Sequence, residues 1–188
     1  TRQIVRLMAV ALAVRLLLSE QAVGSIGLLT TLGMGEDQLV ALNGVVLAAE
    51  VAGMAGMILL FRPHDMQVPI LLAVALIAVG ALVDAGATNL TRPAELYASQ
   101  ALIGFAAIMF LGATMAIGIA RTLLAGPRAF ISYVVLFGMS QSLGGLAGSA
   151  ALGTFQTVRE KVHSAALVEQ VRPFDPIVAL RLGGAGRG

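Results

Sequence analysis

The sequence predicts an all-α integral membrane protein, and three observations carry that prediction. The 188 residues are 58% hydrophobic before the 22 Gly are counted, only 12% are charged, and the mean hydropathy is +0.92. A soluble domain carries roughly twice that charge, and so much apolar surface exceeds what a core of this size encloses. The apolar residues gather into five runs, 4–29, 39–60, 68–87, 96–119 and 130–154, each near the length of about 20 residues that takes a helix across hydrocarbon. Short polar or turn-forming connectors at 33–38, 62–67, 88–95 and 121–128 make neighbouring helices antiparallel. Backbone groups in lipid must be satisfied within their own segment, which selects helices; a strand barrel needs shorter segments of alternating polarity.

The first run follows Arg2 and Arg6 and contains Arg15 and Glu20. It resembles a secretory signal only at its start, since Arg15 interrupts the apolar stretch, which then continues to Leu29. In the second, Asn43, Leu47 and Glu50 fall on one helical face. The third approaches its end at Asp84, and the fourth carries no charge from Leu96 to Ile119. The fifth holds Gly144 with Gly148, Gly145 with Ser149, and Ser149 with Gly153 at four-residue spacing, the pattern that lets two helix backbones approach closely in a bilayer. Arg159, Glu160, Lys161 and His163 follow and place a membrane boundary near Thr154. The expected organisation is a helical bundle over 1–155 and a polar extramembrane tail over 156–188. The tail begins as an amphipathic helix through Phe155, Val158, Val162 and Ala166, and ends at Pro173 and Pro176.

Arg2, Arg6, Arg62, Arg121 and Arg128 fall on one side of this arrangement, and Arg92 stands alone among the connectors opposite. That bias sets the start of the chain in the cytoplasm. The net charge of +2 is scattered singly, without the stripe that nucleic acid requires. The absence of Cys removes disulfides and thiolate metal sites. The two histidines, His64 and His163, stand far apart in sequence, so no metal site is expected. No phosphate-cradling GxxxxGK[ST], HExxH or GxSxG motif occurs, and neither an enzyme nor a cofactor is expected.

Four ionisable residues lie inside the runs: Arg15, Glu20, Glu50 and Asp84. Burial of such groups is costly unless they pair or meet a water-filled pathway. Glu50, with Asn43 two turns earlier, is the expected proton-binding carboxylate, and Arg15 is its expected counter-charge from a neighbouring helix. The competing reading is a static buried ion pair that only orders the bundle. Glu20 lies about 140° around an α-helix from Arg15, so it is expected near the outer interface. Asp84 is likewise expected near the outer end of its span, as part of the proton and substrate pathway.

From Gln141 to His163 the chain resembles the penultimate span and following loop of the fourteen-helix drug:proton antiporters of the major facilitator superfamily. Gly144, Gly145, Gly148, Thr154, Arg159 and His163 match that pattern, while Gln141 and Ser142 replace its Arg-Gln pair. The stretch VEQVRPFDPIVALRL, 168–182, is similar to the same family's external loop. The resemblance implies the C-terminal portion of a multi-pass transporter of the bacterial inner membrane. Its work would be proton-coupled export of small amphiphilic or cationic organic compounds. It also implies a missing N-terminal half as partner and, from Gram-negative relatives, a periplasmic adaptor and an outer-membrane channel. The alternative is a non-transporting scaffold whose Gly face binds partner helices.

Overall fold

The computed structural model describes residues 2–60, 67–88 and 90–170. Arg62, His64, Pro173, Pro176 and most of the loop-like stretch 168–182 lie outside them. All regular structure among the described residues is helical. Helix α1 (Arg2–Leu17) leads into a π-helical segment (Glu20–Ile26) and the short α2 (Gly27–Thr31). Then come α3 (Glu36–Leu60), α4 (Gln67–Asp84), a 3-10 turn (Pro93–Leu96), α5 (Tyr97–Leu123) and α6 (Pro127–Gln170). The chain divides into two compact units, Thr1–Leu152 and Gly153–Gly188. The described part of the second unit is helical; the interactions below all belong to the first.

Among the described residues four stretches are long and apolar enough to cross a membrane: Glu36–Leu60, Gln67–Asp84, Pro93–Leu123 and Pro127–Ala165. The first predicted span departs from a single α-helix. Leu18 N still donates to Val14 O at 2.9 Å, but Gln21 N donates to Leu18 O at 3.2 Å, and the backbone then widens into the π segment. The Ser19 hydroxyl sits at the break, 3.4 Å from Arg15 O and 3.2 Å from Gly145 O of α6. A polar side chain and a neighbouring helix thus replace the regular ladder where the chain changes register.

α5 is the central helix, packed along both α3 and α4. The close approach depends on small residues. A Cβ on Gly53 would lie 2.2 Å from Phe105 O, and one on Gly80 would lie 2.5 Å from Ile103 Cγ1 and 3.1 Å from Ser99 O. No larger residue fits either contact with the backbones at this separation. The core runs through Ala73, Ile77, Ala106, Met109 and Phe110, and Tyr133 and Phe137 close it from α6. The Tyr133 hydroxyl donates to Thr114 O at 2.9 Å while its ring occupies the space above Gly118. A second cluster, Leu29, Leu39, Leu42 and Leu96, joins α2, α3 and the 3-10 turn.

Outward-facing residues are equally apolar: Leu59 is 83% exposed, Leu82 75% and Leu146 70%. Contiguous apolar surface of this kind is stable against acyl chains and not against water. The protein is an α-helical membrane protein. Turns use glycine where the backbone demands it: Gly126 has φ +103°, ends the α5 connection and precedes Pro127 at the start of α6.

Candidate functional site: a carboxylate pair at the π segment

Glu20, Ser25, Asp84 and Gln100 converge from three elements. Glu20 and Ser25 belong to the π segment, Asp84 is the last residue of α4, and Gln100 lies in the first turns of α5. A π-helix pairs residues i and i+5. That register brings Ser25 back to Glu20, which an α-helix would hold on different faces, and the Ser25 hydroxyl lies 2.6 Å from Glu20 Oε1. Gly24 leaves the room, since a Cβ there would stand 2.8 Å from the same carboxylate oxygen. From the other side Asp84 Oδ2 lies 3.1 Å from the Ser25 hydroxyl. The Gln100 amide donates to Ser25 Oγ at 2.7 Å and, through a short bond, to Asp84 Oδ2. Gln21 adds a bond from Nε2 to Gln100 O at 3.4 Å.

The site is protein-enclosed. Gln100 is 0% and Asp84 8% exposed, so Asp84 is buried where the sequence suggested a water-facing carboxylate. Glu20 is partly buried in the same cluster and does not stand alone at an outer interface. The 2.6 and 3.1 Å contacts to one hydroxyl oxygen hold the two carboxylate oxygens within 5.7 Å of each other. Among the described residues no cation pairs with either. Glu20 Oε2, Asp84 Oδ1 and Gln100 Oε1 are buried without a hydrogen-bond partner, which leaves a lining rich in acceptors.

The residues expected to form the proton pathway are dispersed. Arg15 lies over α6, with its Nε 3.5 Å from where a Gly145 Cβ would be. Glu50 packs its Cγ beside Gly104 of α5, again 3.5 Å from a would-be Cβ. The two therefore rest on different helices, and among the described residues no ion pair joins them, which corrects the expected Arg15–Glu50 pairing. Asn43 and Leu47 are exposed on α3. Of the small residues on α6, Gly144 and Gly148 face the Leu12 and Leu16 carbonyls of α1, with would-be Cβ distances of 2.7 and 2.5 Å. Ser149 is exposed, and a Cβ on Gly153 would meet nothing within 4 Å.

Sequence reasoning missed Ser25 and Gln100. Gln100 had a legible signal, an amide within an apolar run that buries poorly without partners. Ser25 had none, because its role depends on the π register. No family profile, curated protein or solved structure matches this chain.

Proposed function

We propose that the chain is part of a proton-coupled transporter of small amphiphilic or cationic organic compounds, with Glu20 and Asp84 as the coupling carboxylates. One observation carries this reading: two carboxylate oxygens with no cation partner among the described residues converge on the single hydrogen of the Ser25 hydroxyl. Ser25 Oγ meets three partners, Glu20, Asp84 and Gln100. It accepts from Gln100 and has a single hydrogen to donate. That hydrogen serves one carboxylate at a time, and a proton held by the pair would supply a second bond.

Electrostatics agree in sign. Two unit charges within 5.7 Å repel by about 3 kcal/mol at an effective dielectric near 20, and one shared proton removes that repulsion. Loss of the proton therefore pushes the π segment away from the α4–α5 junction, and its return draws them together. Such a two-position element is what alternating access requires. The acceptor lining suits a proton or a cationic group and disfavours an anion. Export as the direction, an amphiphilic cargo and the bacterial inner membrane rest on the sequence resemblance.

The scaffold reading requires the Gly144 and Gly148 face to be free for a partner helix. Within this chain Gly144 and Gly148 face α1, so a partner helix would have to use the exposed Ser149 side of α6. The test is uptake of a fluorescent lipophilic cation into everted vesicles carrying the full-length gene product under an imposed pH gradient, acid inside. Glu20→Gln and Asp84→Asn should each abolish proton-driven movement at unchanged protein level, whereas Glu36→Gln, on the exposed start of α3, should not. Glu50→Gln in the same assay tests the other buried-span carboxylate. Wild-type uptake by both Glu20→Gln and Asp84→Asn rejects the pair as the coupling site.

A further inference from the structure

At the opposite end of the first unit from the carboxylate pair, the start of α1, the start of α4 and the end of α5 enclose a slot of about 330 Å³. That volume is within the range of sites for small ligands, about 300–1,000 Å³. Its walls are Leu7, Val10, Ile70 and Ile117, and its polar groups are Arg6, Arg121 and Gln67. Among the described residues no Asp or Glu lines it, so none of them neutralises the two guanidinium groups within the slot. Arg6, Arg121 and Val10 are exposed, which leaves the slot open along its side.

We propose that this slot binds an anionic phospholipid, with the phosphate between Arg6 and Arg121 and an acyl chain along Leu7, Val10, Ile70 and Ile117. The charge complementarity selects the occupant. Guanidinium forks bind phosphate oxygens in pairs, Gln67 adds an amide donor, and basic pockets between membrane helices are suited to anionic headgroups. A free phosphate would leave the apolar walls unused, and a cationic cargo would be repelled by both arginines. The juxtaposition also unites two residues of the arginine-rich side of the chain, Arg6 and Arg121, into one local surface. The proposal needs only the membrane fold, so it stands or falls separately from proton coupling.

The experiment measures lipid retention by the detergent-solubilised full chain, by native mass spectrometry, with phosphatidylglycerol and phosphatidylcholine as probes. Each arginine near an anionic headgroup gives roughly a five-fold preference. The wild type should therefore favour phosphatidylglycerol by about thirty-fold, falling to near parity in Arg6→Gln/Arg121→Gln. Ile70→Trp, which fills the slot and keeps both charges, should also lose retention. Arg128→Gln, an exposed arginine outside the slot, should not. Equal loss in Arg128→Gln would mean diffuse surface attraction and overturn the proposal, as would retention surviving in Ile70→Trp. Displacement of phosphatidylglycerol by millimolar inorganic phosphate would assign the site to the free anion and overturn it too.

Discussion

Gly148→Ala is the sharpest test of how α1 is held. A methyl group there would sit 2.5 Å from Leu16 O and 2.5 Å from Ser19 Oγ, where unstrained contacts fall near 3.5 Å. Leu16 O is backbone and cannot rotate aside, so α1 must move off α6 by about 1 Å. That displacement also stretches the Ser19 bond to Gly145 O, already 3.2 Å long, beyond useful geometry. Overpacking costs about 1–3 kcal/mol, and the lost interhelical bond adds about 0.6 kcal/mol, which together make a destabilisation of about 2–3 kcal/mol. For a chain of this size each kcal/mol is worth roughly 2–4 °C, so the apparent Tm should fall by roughly 5–10 °C. The assay is thermal unfolding at fixed detergent, followed by far-UV circular dichroism. Gly138→Ala is the control, because its Cβ meets nothing within 4 Å, and its better helix propensity should leave Tm unchanged or slightly raised. If the two variants melt alike, the close approach of α1 and α6 is not what holds this interface.

Two further outcomes follow from the polar contacts. Ser25→Ala deprives Glu20 of its donor and Gln100 of an acceptor inside the bundle, and should destabilise by about 2 kcal/mol; Ser25→Thr, which keeps the hydroxyl, should recover part of that loss and of proton-driven efflux. Equal melting of Ser25→Ala and wild type would remove the hydroxyl from the network. Tyr133→Phe deletes the buried donor to Thr114 O while keeping the ring above Gly118, and should cost about 1 kcal/mol, read as a Tm drop of a few degrees in the same assay.

The membrane character, the helical class and four of the spans were legible in composition and run length alone. Hydrocarbon thickness fixes segment length, and lipid forbids unpaired backbone, so a linear pattern is enough to specify them. The four-residue spacing of Gly144 and Gly148 likewise marked a small-residue stripe, because helical periodicity translates spacing into a face. The identity of the helix opposite that stripe was not written in the spacing.

Tertiary structure decided the site. An α-helical reading at about 100° per residue separates Glu20 from Ser25, whereas the π segment joins them, and that segment opens next to Ser19, whose hydroxyl lies 3.2 Å from Gly145 O of α6. Asp84 and Gln100 meet only because α4 and α5 are antiparallel neighbours whose approach is permitted by Gly80. Arg15 and Glu50 had the right chemistry to attract one another, yet packing set Arg15 against α6 and Glu50 against α5. A sequence specifies which groups are costly to bury; the arrangement of backbones determines which partners share that cost.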